Sequence, residues 1–399
     1  MTERRPEVAD VFRRYGPRFL EIYDARLSQE QRHVFRDIAT CRTAALGGHK
    51  LKCDTCGHEE ISYNSCRDRH CPKCQAMGGA EWLDREAAHL LDVQYFHVVF
   101  TLPEKLGPIA LQNKRQVYGI LFRAASETLS TIGRDPKHLG AELGFLMVLH
   151  TWGQNLLAHP HVHCVVPGGG LSFDGSRWVS CRDGFFLPVR VLSRLFRGKF
   201  LAYLEESYAK GELSFHGKLA ALQDKAAWSS LVWSLRELEW VVYSKPPFAG
   251  PRQVLKYLAR YTHRVAISNR RLRSIEDGKV TFSWKDYAGG SKRRTMTLRA
   301  EEFIRRFLLH VLPKGFVRIR HYGFLANAVY AQKLALIRRL LARPPIEDTA
   351  DPQADGPDQA DETPCHNGEG ISCPRCKKGH LVVIEELRPA VEPQIEDTS

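Results

Sequence analysis

Apolar positions recur at helical spacing from Val11 to Asp37 and predict a helical lead. From Gly144 the rhythm changes. Two β-leaning stretches flank a turn-like Thr151-Trp-Gly-Gln-Asn155, the second being His161-Val-His-Cys-Val-Val166. Alternate side chains of a strand share a face, so His161, His163 and Val165 point one way and Val162, Cys164 and Val166 the other. Gly168–Gly170 is expected to end that strand. Further on, Gly250–Arg271 predicts a helix opened by Pro251 near its first position. At about 100° per residue, Val254, Leu258, Thr262 and Val265 form one apolar stripe. Tyr257 and Tyr261 edge it as i, i+4 neighbours. The tryptophan-rich stretch Trp228–Trp240 reads as core.

Charge sharpens this picture. The chain has 399 residues, enough for two or three domains, and a formal net charge of +13. The charge is uneven: residues 344–399 hold 13 acidic and 4 basic side chains, against 32 acidic and 54 basic before them. The basic body points to a polyanionic partner. Pro344–Thr363, with seven acids, four prolines and no Lys or Arg, is expected to be a disordered linker. It serves solubility, or else mimics nucleic acid over the basic body. No apolar run approaches the roughly 20 residues of a membrane span, and the polar start at Met1–Asp10 argues against a secretory signal. A cytoplasmic, nucleoid-associated protein is expected.

Eleven cysteines without an export signal argue for metal thiolates over disulfides. The segment Cys41-RTAALGG-His49-KLK-Cys53-DT-Cys56-GHEEISYNS-Cys66-RDR-His70-Cys71-PK-Cys74 holds two C-x-x-C knuckles, Cys53/Cys56 and Cys71/Cys74. Two knuckles complete the tetrahedron zinc prefers, and a closed four-ligand site is structural. Cys41, His49, Cys66 and His70 either form a second, interleaved zinc site, the 41/49 pair sharing an ion with the 66/70 pair, or merely pack and solvate. Arg67 and Arg69 beside the knuckles suit nucleic acid as partner. Near the C-terminus Cys373-Pro-Arg-Cys376, with Cys365, His366 and His380 nearby, suggests one more small zinc site.

The histidines and tyrosines carry the candidate chemistry. His161 and His163 lie on one strand face roughly 7 Å apart, close enough to meet one divalent ion. His150, Gln154 and His159 are near in sequence. Tyr257 and Tyr261, with Arg260 and Arg264 just beyond them, present two phenols on a basic flank. A tyrosinate can attack phosphorus and hold a covalent intermediate, with nearby cations stabilising the transition state. Arg270, Arg271, Arg273, Ser291–Arg294 and Arg318–Tyr322 are basic segments suited to a DNA backbone, and Trp284, Tyr287 and Tyr322 suit stacking on unpaired bases.

Taken together, HPHVHCVVPGGG, KYLARYTHRVAISN, CRTAALGGH…SCRDRHCPKCQ, FSWKDY and EEFIRRFLLHVLPKGFVRIRHYGFLAN resemble a two-tyrosine rolling-circle transposase of the insertion-sequence family ninety-one type, within the HUH (His-hydrophobic-His) endonucleases. The resemblance spans roughly residues 11–335. It implies an α+β fold, a central antiparallel sheet flanked by helices, with the histidines on its middle strand, the tyrosines on a facing helix, and an N-terminal helical and zinc-binding module. The implied organisation is a helical lead (1–40), a zinc-binding DNA-recognition domain (41–92), a catalytic domain (93–300), a helical extension (301–343), an acidic linker (344–364) and a small knuckle (365–399).

The resemblance further implies that His161 and His163 bind Mg²⁺ or Mn²⁺, with His150 or Gln154 as third ligand. Tyr257 and Tyr261 would each leave a 5′-phosphotyrosine and a free 3′-OH on single-stranded DNA at transposon ends and target. Two other readings share parts of this sequence. A zinc-dependent DNA-binding protein without catalysis would explain the charge and knuckles, and a plasmid relaxase or replication initiator would share the nuclease core.

Overall fold

In the computed structural model, which describes residues 5–87, 89–182, 184, 186–248, 253–254, 266–286, 290, 292–342 and 371–390, the helical lead is two helices. α1 (Val8–Tyr23) and α2 (Gln29–Thr40) are separated by a short turn at Asp24–Arg26. Ser28 restarts the helix as a capping box: its hydroxyl accepts from Gln31 N, and the Gln31 side chain accepts from Ser28 N. Next come β1 (Gly48–Cys53), β2 (Glu59–Tyr63), α3 (Pro72–Ala87), β3 (Tyr95–Thr101), α4 (Gly107–Gln112) and α5 (Lys114–Arg134). The centre of the chain holds β4 (Gly144–Trp152), β5 (Ala158–Pro167), β6 (Gly169–Leu171), β7 (Trp178–Ser180), α6 (Val189–Ala209), α7 (Lys225–Glu237) and β8 (Val242–Phe248). Then follow β9 (Leu272–Glu276), β10 (Lys279–Asp286), β11 (Lys292–Arg299), α8 (Ala300–Leu309), β12 (Ile319–Gly323), α9 (Tyr330–Leu341), β13 (Ile371–Ser372) and β14 (His380–Leu387).

The expected central antiparallel sheet has the order β12-β4-β5-β3-β8, with the histidine strand β5 in the middle. Period-two alternation divides its faces. Phe96, Val98 and Phe100, Phe145, Met147 and Leu149, and Val162, Cys164 and Val166 form one face, buried with residues of α5, α6 and α7 in the largest core. The other face carries His97, His150, His161 and His163 with a smaller apolar cluster of Tyr95, Leu146, Val148 and Val165. Trp228 and Trp240 are core as expected, whereas Trp233 is exposed. Strand β5 ends at Pro167, as expected of Gly168–Gly170, and β6 pairs with β7 in a separate two-stranded sheet. A Cβ on Gly170 would meet the Glu142 carbonyl at 2.6 Å, so glycine serves close strand approach.

Two segments placed apart in sequence share a second core. α1 and α2 pack with α8 and the sheet β11-β10-β9 through Phe12, Phe19, Phe35, Phe282, Phe303 and Phe307. The stretch 301–343 is therefore no appendage, since α8 belongs to this core and β12 is an edge strand of the central sheet. Residues 371–390 are no separate knuckle either. β14 pairs antiparallel with β1, giving the order β13-β14-β1-β2. The acidic segment 344–363, with Cys365 and His366, lies outside the described residues. Among the described residues, no helix is long and apolar enough to cross a membrane.

His310, at the end of α8, ties the two cores. It is buried, its Nε2 donates to the Leu156 carbonyl at 3.1 Å, and its Nδ1 accepts from Thr151 Oγ1 at 3.1 Å. Burial pushes its pKa down to about 3. The native state thus binds fewer protons than the unfolded chain below the ordinary histidine value. Stability should fall as pH drops below about 6.5, by roughly 3 kcal/mol at pH 4 from this group. Thermal melts across that window should show a shallower decline for His310→Gln than for the wild type; parallel curves would disprove the assignment.

Candidate active site

The β4–β5 pairing brings three imidazoles together. His150 faces His161 in register, and Val148 faces His163, so the three rings crowd one end of the hairpin. Ring centroids are 4.4 Å apart for His150 and His163, 4.8 Å for His161 and His163, and 5.3 Å for His150 and His161. One ring nitrogen from each lies within 4.8 Å of the others. Trp152 stacks on the His150 ring at 4.5 Å. His150 and His163 are buried and His161 is half-buried.

Hydrogen bonds set the tautomers. His161 Nδ1 donates to the His159 carbonyl at 2.6 Å, which leaves Nε2 its lone pair. Burial, with the neighbouring His159, pushes the His161 pKa down to about 3, so the ring is neutral and of ligand form. His163 Nδ1 meets Nε2 of His97 on β3 at 2.8 Å, the two rings stacked within 7° of parallel. His163 can offer Nε2 to a metal only with its proton on Nδ1, donated to His97; His97 then fixes both tautomer and ring plane. The sequence reading missed His97, although alternation through Tyr95-Phe-His-Val-Val-Phe-Thr101 places it on the same face. Gln154 lies in the turn after β4, where its carbonyl accepts from Arg271 Nη2 at 2.5 Å.

Tyr257, Tyr261, Arg260 and Arg264 lie outside the described residues. Just before them, Gln253 and Val254 are helical, and Val254 is fully buried against Trp82, Tyr95, Leu146, Val148 and Val165. Val254, three residues before Tyr257 in the sequence, is therefore seated on the histidine face of the sheet.

The cysteines sort differently from their sequence pairing. Cys53/Cys56 and Cys71/Cys74 do not share a site. Cys41, Cys66, Cys71 and Cys74 form one cluster, with Sγ–Sγ distances of 3.6 Å (Cys41–Cys74), 3.5 Å (Cys66–Cys74) and 3.7 Å (Cys41–Cys71). Tetrahedral zinc with 2.3 Å bonds sets its sulfurs about 3.8 Å apart. The reason is the β1–β2 hairpin. Cys41 precedes it and Cys66 follows it, so both lie at its open end, where Cys71, just before α3, and Cys74, in its first turn, also sit. Cys53 and Cys56 sit at the turn, about 17 Å away along β1. There they meet Cys376 and Cys373, at 3.7 Å each. Neither candidate histidine joins a cluster. His49 lies within β1; His70 is buried, its Nδ1 against Asp68 at 3.0 Å and its Nε2 accepting from Leu312 N at 3.2 Å.

Of the arginines expected on DNA, three are occupied within the fold. Arg69 donates to the carbonyls of Phe316 (2.6 Å) and Pro313 (3.1 Å). Arg271 donates to Ser283 (2.7 Å) as well as to Gln154. Arg318, from the block read as a strand edge, is buried and donates to Gln75 Oε1 at 3.0 Å. Arg270 and Arg67 are exposed. Arg67 and Arg42 line an open depression of about 450 Å³ with Ser62, Tyr63, Asn64 and Ser65.

Residues 144–333 match a family described as "Putative transposase", and residues 11–102 match one described as "Transposase zinc-binding domain". The "Putative transposase y4qJ" of Sinorhizobium fredii is 57% identical over 391 residues, covering 96% of each chain. The "Transposase for insertion sequence element IS801" of Pseudomonas savastanoi pv. phaseolicola is 29% identical over 311 residues, 76% of this chain and 72% of that one. Among solved structures, "Conjugative Relaxase TrwC in complex with mutant OriT Dna" aligns with 41% of this chain and 71% of that one, at 16% identity and a TM-score of 0.25.

Arg69→Ala should destabilise the fold by about 1–3 kcal/mol, because two carbonyls lose a charged donor. The slope of log affinity against log salt for DNA should stay unchanged. A slope reduced by about one would instead make Arg69 a phosphate contact.

Proposed function

The chain belongs to the two-tyrosine rolling-circle transposases of the insertion-sequence family ninety-one type, and on that premise we propose that it nicks and rejoins single-stranded DNA through Tyr257 and Tyr261. The observation that carries this reading is the convergence of His150, His161 and His163 on the sheet face where Val254 is seated. In the sequence pattern Tyr257 and Tyr261 follow Val254 by about one and two helical turns.

The three imidazoles fit a divalent ion in number, and His161 and His163 in tautomer. Nitrogen donors favour Mn²⁺ over Mg²⁺, which prefers oxygen. Such an ion would polarise the scissile phosphate and neutralise charge building on its oxygens. His150, His161 and His163 hold that position, and His97 keeps His163 oriented. The phenolate oxygen of one tyrosine attacks phosphorus in line while the P–O3′ bond breaks. A proton goes to the departing 3′ oxygen, leaving a 5′-phosphotyrosine. In the reverse step a 3′-OH attacks the phosphotyrosine, and the tyrosine leaves. One phosphodiester is exchanged for another at each step, so no ATP is required. The second tyrosine lets one DNA end stay bound while another is cleaved. Cys41, Cys66, Cys71 and Cys74 hold a structural zinc that fastens α3 to the N-terminal helices.

Incubation with single-stranded element ends and Mn²⁺ should give a denaturation-resistant adduct, mapped by mass spectrometry to Tyr257 or Tyr261. Tyr257→Phe and Tyr261→Phe should each cripple strand transfer, and the double variant should form no adduct; an undiminished adduct would refute the nucleophiles. His163→Ala should lose metal-dependent cleavage while binding DNA nearly as the wild type does. His97→Ala should raise the Mn²⁺ concentration for half-maximal cleavage about 10- to 100-fold, with the rate recovered at saturating metal. An unshifted metal requirement would remove His97 from the site.

A further inference from the structure

The sheet formed by β13, β14, β1 and β2 joins the two ends of the described chain over a very small core. Its buried residues are Leu51, Cys53, Cys373 and Leu381, with Cys376 packed at the margin. The first cysteine cluster, by contrast, leans on the large core of α1, α2 and α8, to which Cys41 and Cys71 belong. Four buried side chains do not bury enough apolar surface to hold a strand from the far end of the chain against its ordering entropy. Units this small normally need a metal or a disulfide.

The geometry selects between these. Cys53–Cys376 and Cys56–Cys373 are each 3.7 Å apart, far beyond the roughly 2.05 Å of a disulfide and close to the edge of a zinc–thiolate tetrahedron. All four sulfurs lie within 4.8 Å of one another. The two knuckles also share one backbone design. Cys53 N donates to the His58 carbonyl at 2.8 Å, and Cys373 N to the Gly379 carbonyl at 2.8 Å. Gly57 N returns to the Cys53 carbonyl at 3.1 Å, and Lys377 N to the Cys373 carbonyl at 2.9 Å. Both Gly57 and Lys377 adopt positive φ, +67° and +57°. Amides aim at the sulfurs: Thr55 N and Cys56 N at Cys53 Sγ, and Gly379 N at Cys376 Sγ, all at 3.4 Å. Such donors stabilise thiolates.

We infer that Cys53, Cys56, Cys373 and Cys376 bind a second zinc ion, a clasp that locks the C-terminal strand onto the N-terminal module. On binding, four thiols give up four protons and zinc takes their sulfur lone pairs. Cationic Arg375, Lys377 and Lys378 surround the resulting dianionic centre in sequence. The remaining contacts are shaped for a docked strand. Gly47, at φ +67°, lies where any Cβ would strike the Leu387 carbonyl, and Asp54 Oδ1 accepts from His380 N at 2.9 Å.

The test is metal counting on the full-length protein. Wild type should release two zinc ions per chain on denaturation in reductant, and Cys373→Ser/Cys376→Ser should release one. The same variant should lose amide-exchange protection in residues 380–387 while α1, α2 and α8 stay protected. Cys53→Ser/Cys56→Ser should lose the same ion and the same protection. A wild type holding one zinc, or a C-terminal variant still holding two, overturns the inference. If a variant misfolds and loses both ions, thiol alkylation of the zinc-loaded wild type decides. Cys53, Cys56, Cys373 and Cys376 blocked together and freed together by chelator support the clasp; Cys373 and Cys376 reacting freely refute it.

Discussion

The register between β4 and β5 is the constraint on which the rest depends. It places His150 opposite His161 and Val148 opposite His163, and it sends Leu149, Val162 and Cys164 into the main core. A slip of one residue would bury His161 and His163 among phenylalanines and expose the aliphatic set, so the core enforces the site. Hydrophobic burial and metal-ligand geometry are here two consequences of one alternating pattern.

The imidazoles are held by unusually neutral partners. A backbone carbonyl orients His161, and a fourth histidine orients His163. A carboxylate in either position would make the ring a stronger base and a stronger donor. Neutral partners leave the ligands less electron-rich, so an ion bound there would keep more of its charge for the phosphate. The buried surroundings act in the same direction, because they hold His161 uncharged and free of competing protons at neutral pH.

The sequence made some of this legible and concealed the rest for identifiable reasons. Period-two alternation exposed the shared face of His161 and His163, because strand geometry leaves little choice. His97 obeyed the same rule but lay on a strand with no second histidine to attract notice. The cysteine pairing was misread because nearness along the chain stood in for nearness in space. A six-residue strand is enough to carry Cys53 away from Cys71, and the true neighbours of Cys53 lie some 320 residues later. Arg69 and Arg271 looked like DNA contacts because composition reports charge and not the carbonyls that consume it. Trp233, read as core, shows the same limit for apolar residues.

These long-range pairings have a consequence for how the chain becomes active. The central sheet lacks its β12 edge until residue 323 has been made, and the core of α1 and α2 waits for α8. The β1–β2 hairpin waits longest, for a strand ending at Leu387. Closing such contacts carries a large loop entropy, so the N-terminal segments must persist with apolar faces uncovered during synthesis. The Cys41–Cys74 cluster is the exception, because its four thiols fall within 34 residues and can capture metal early. Early zinc there would fix α3 against the N-terminal helices before the remaining partners exist. The local cluster can thus form before the rest of the fold, whereas the split one can close only once Cys373 and Cys376 have been made.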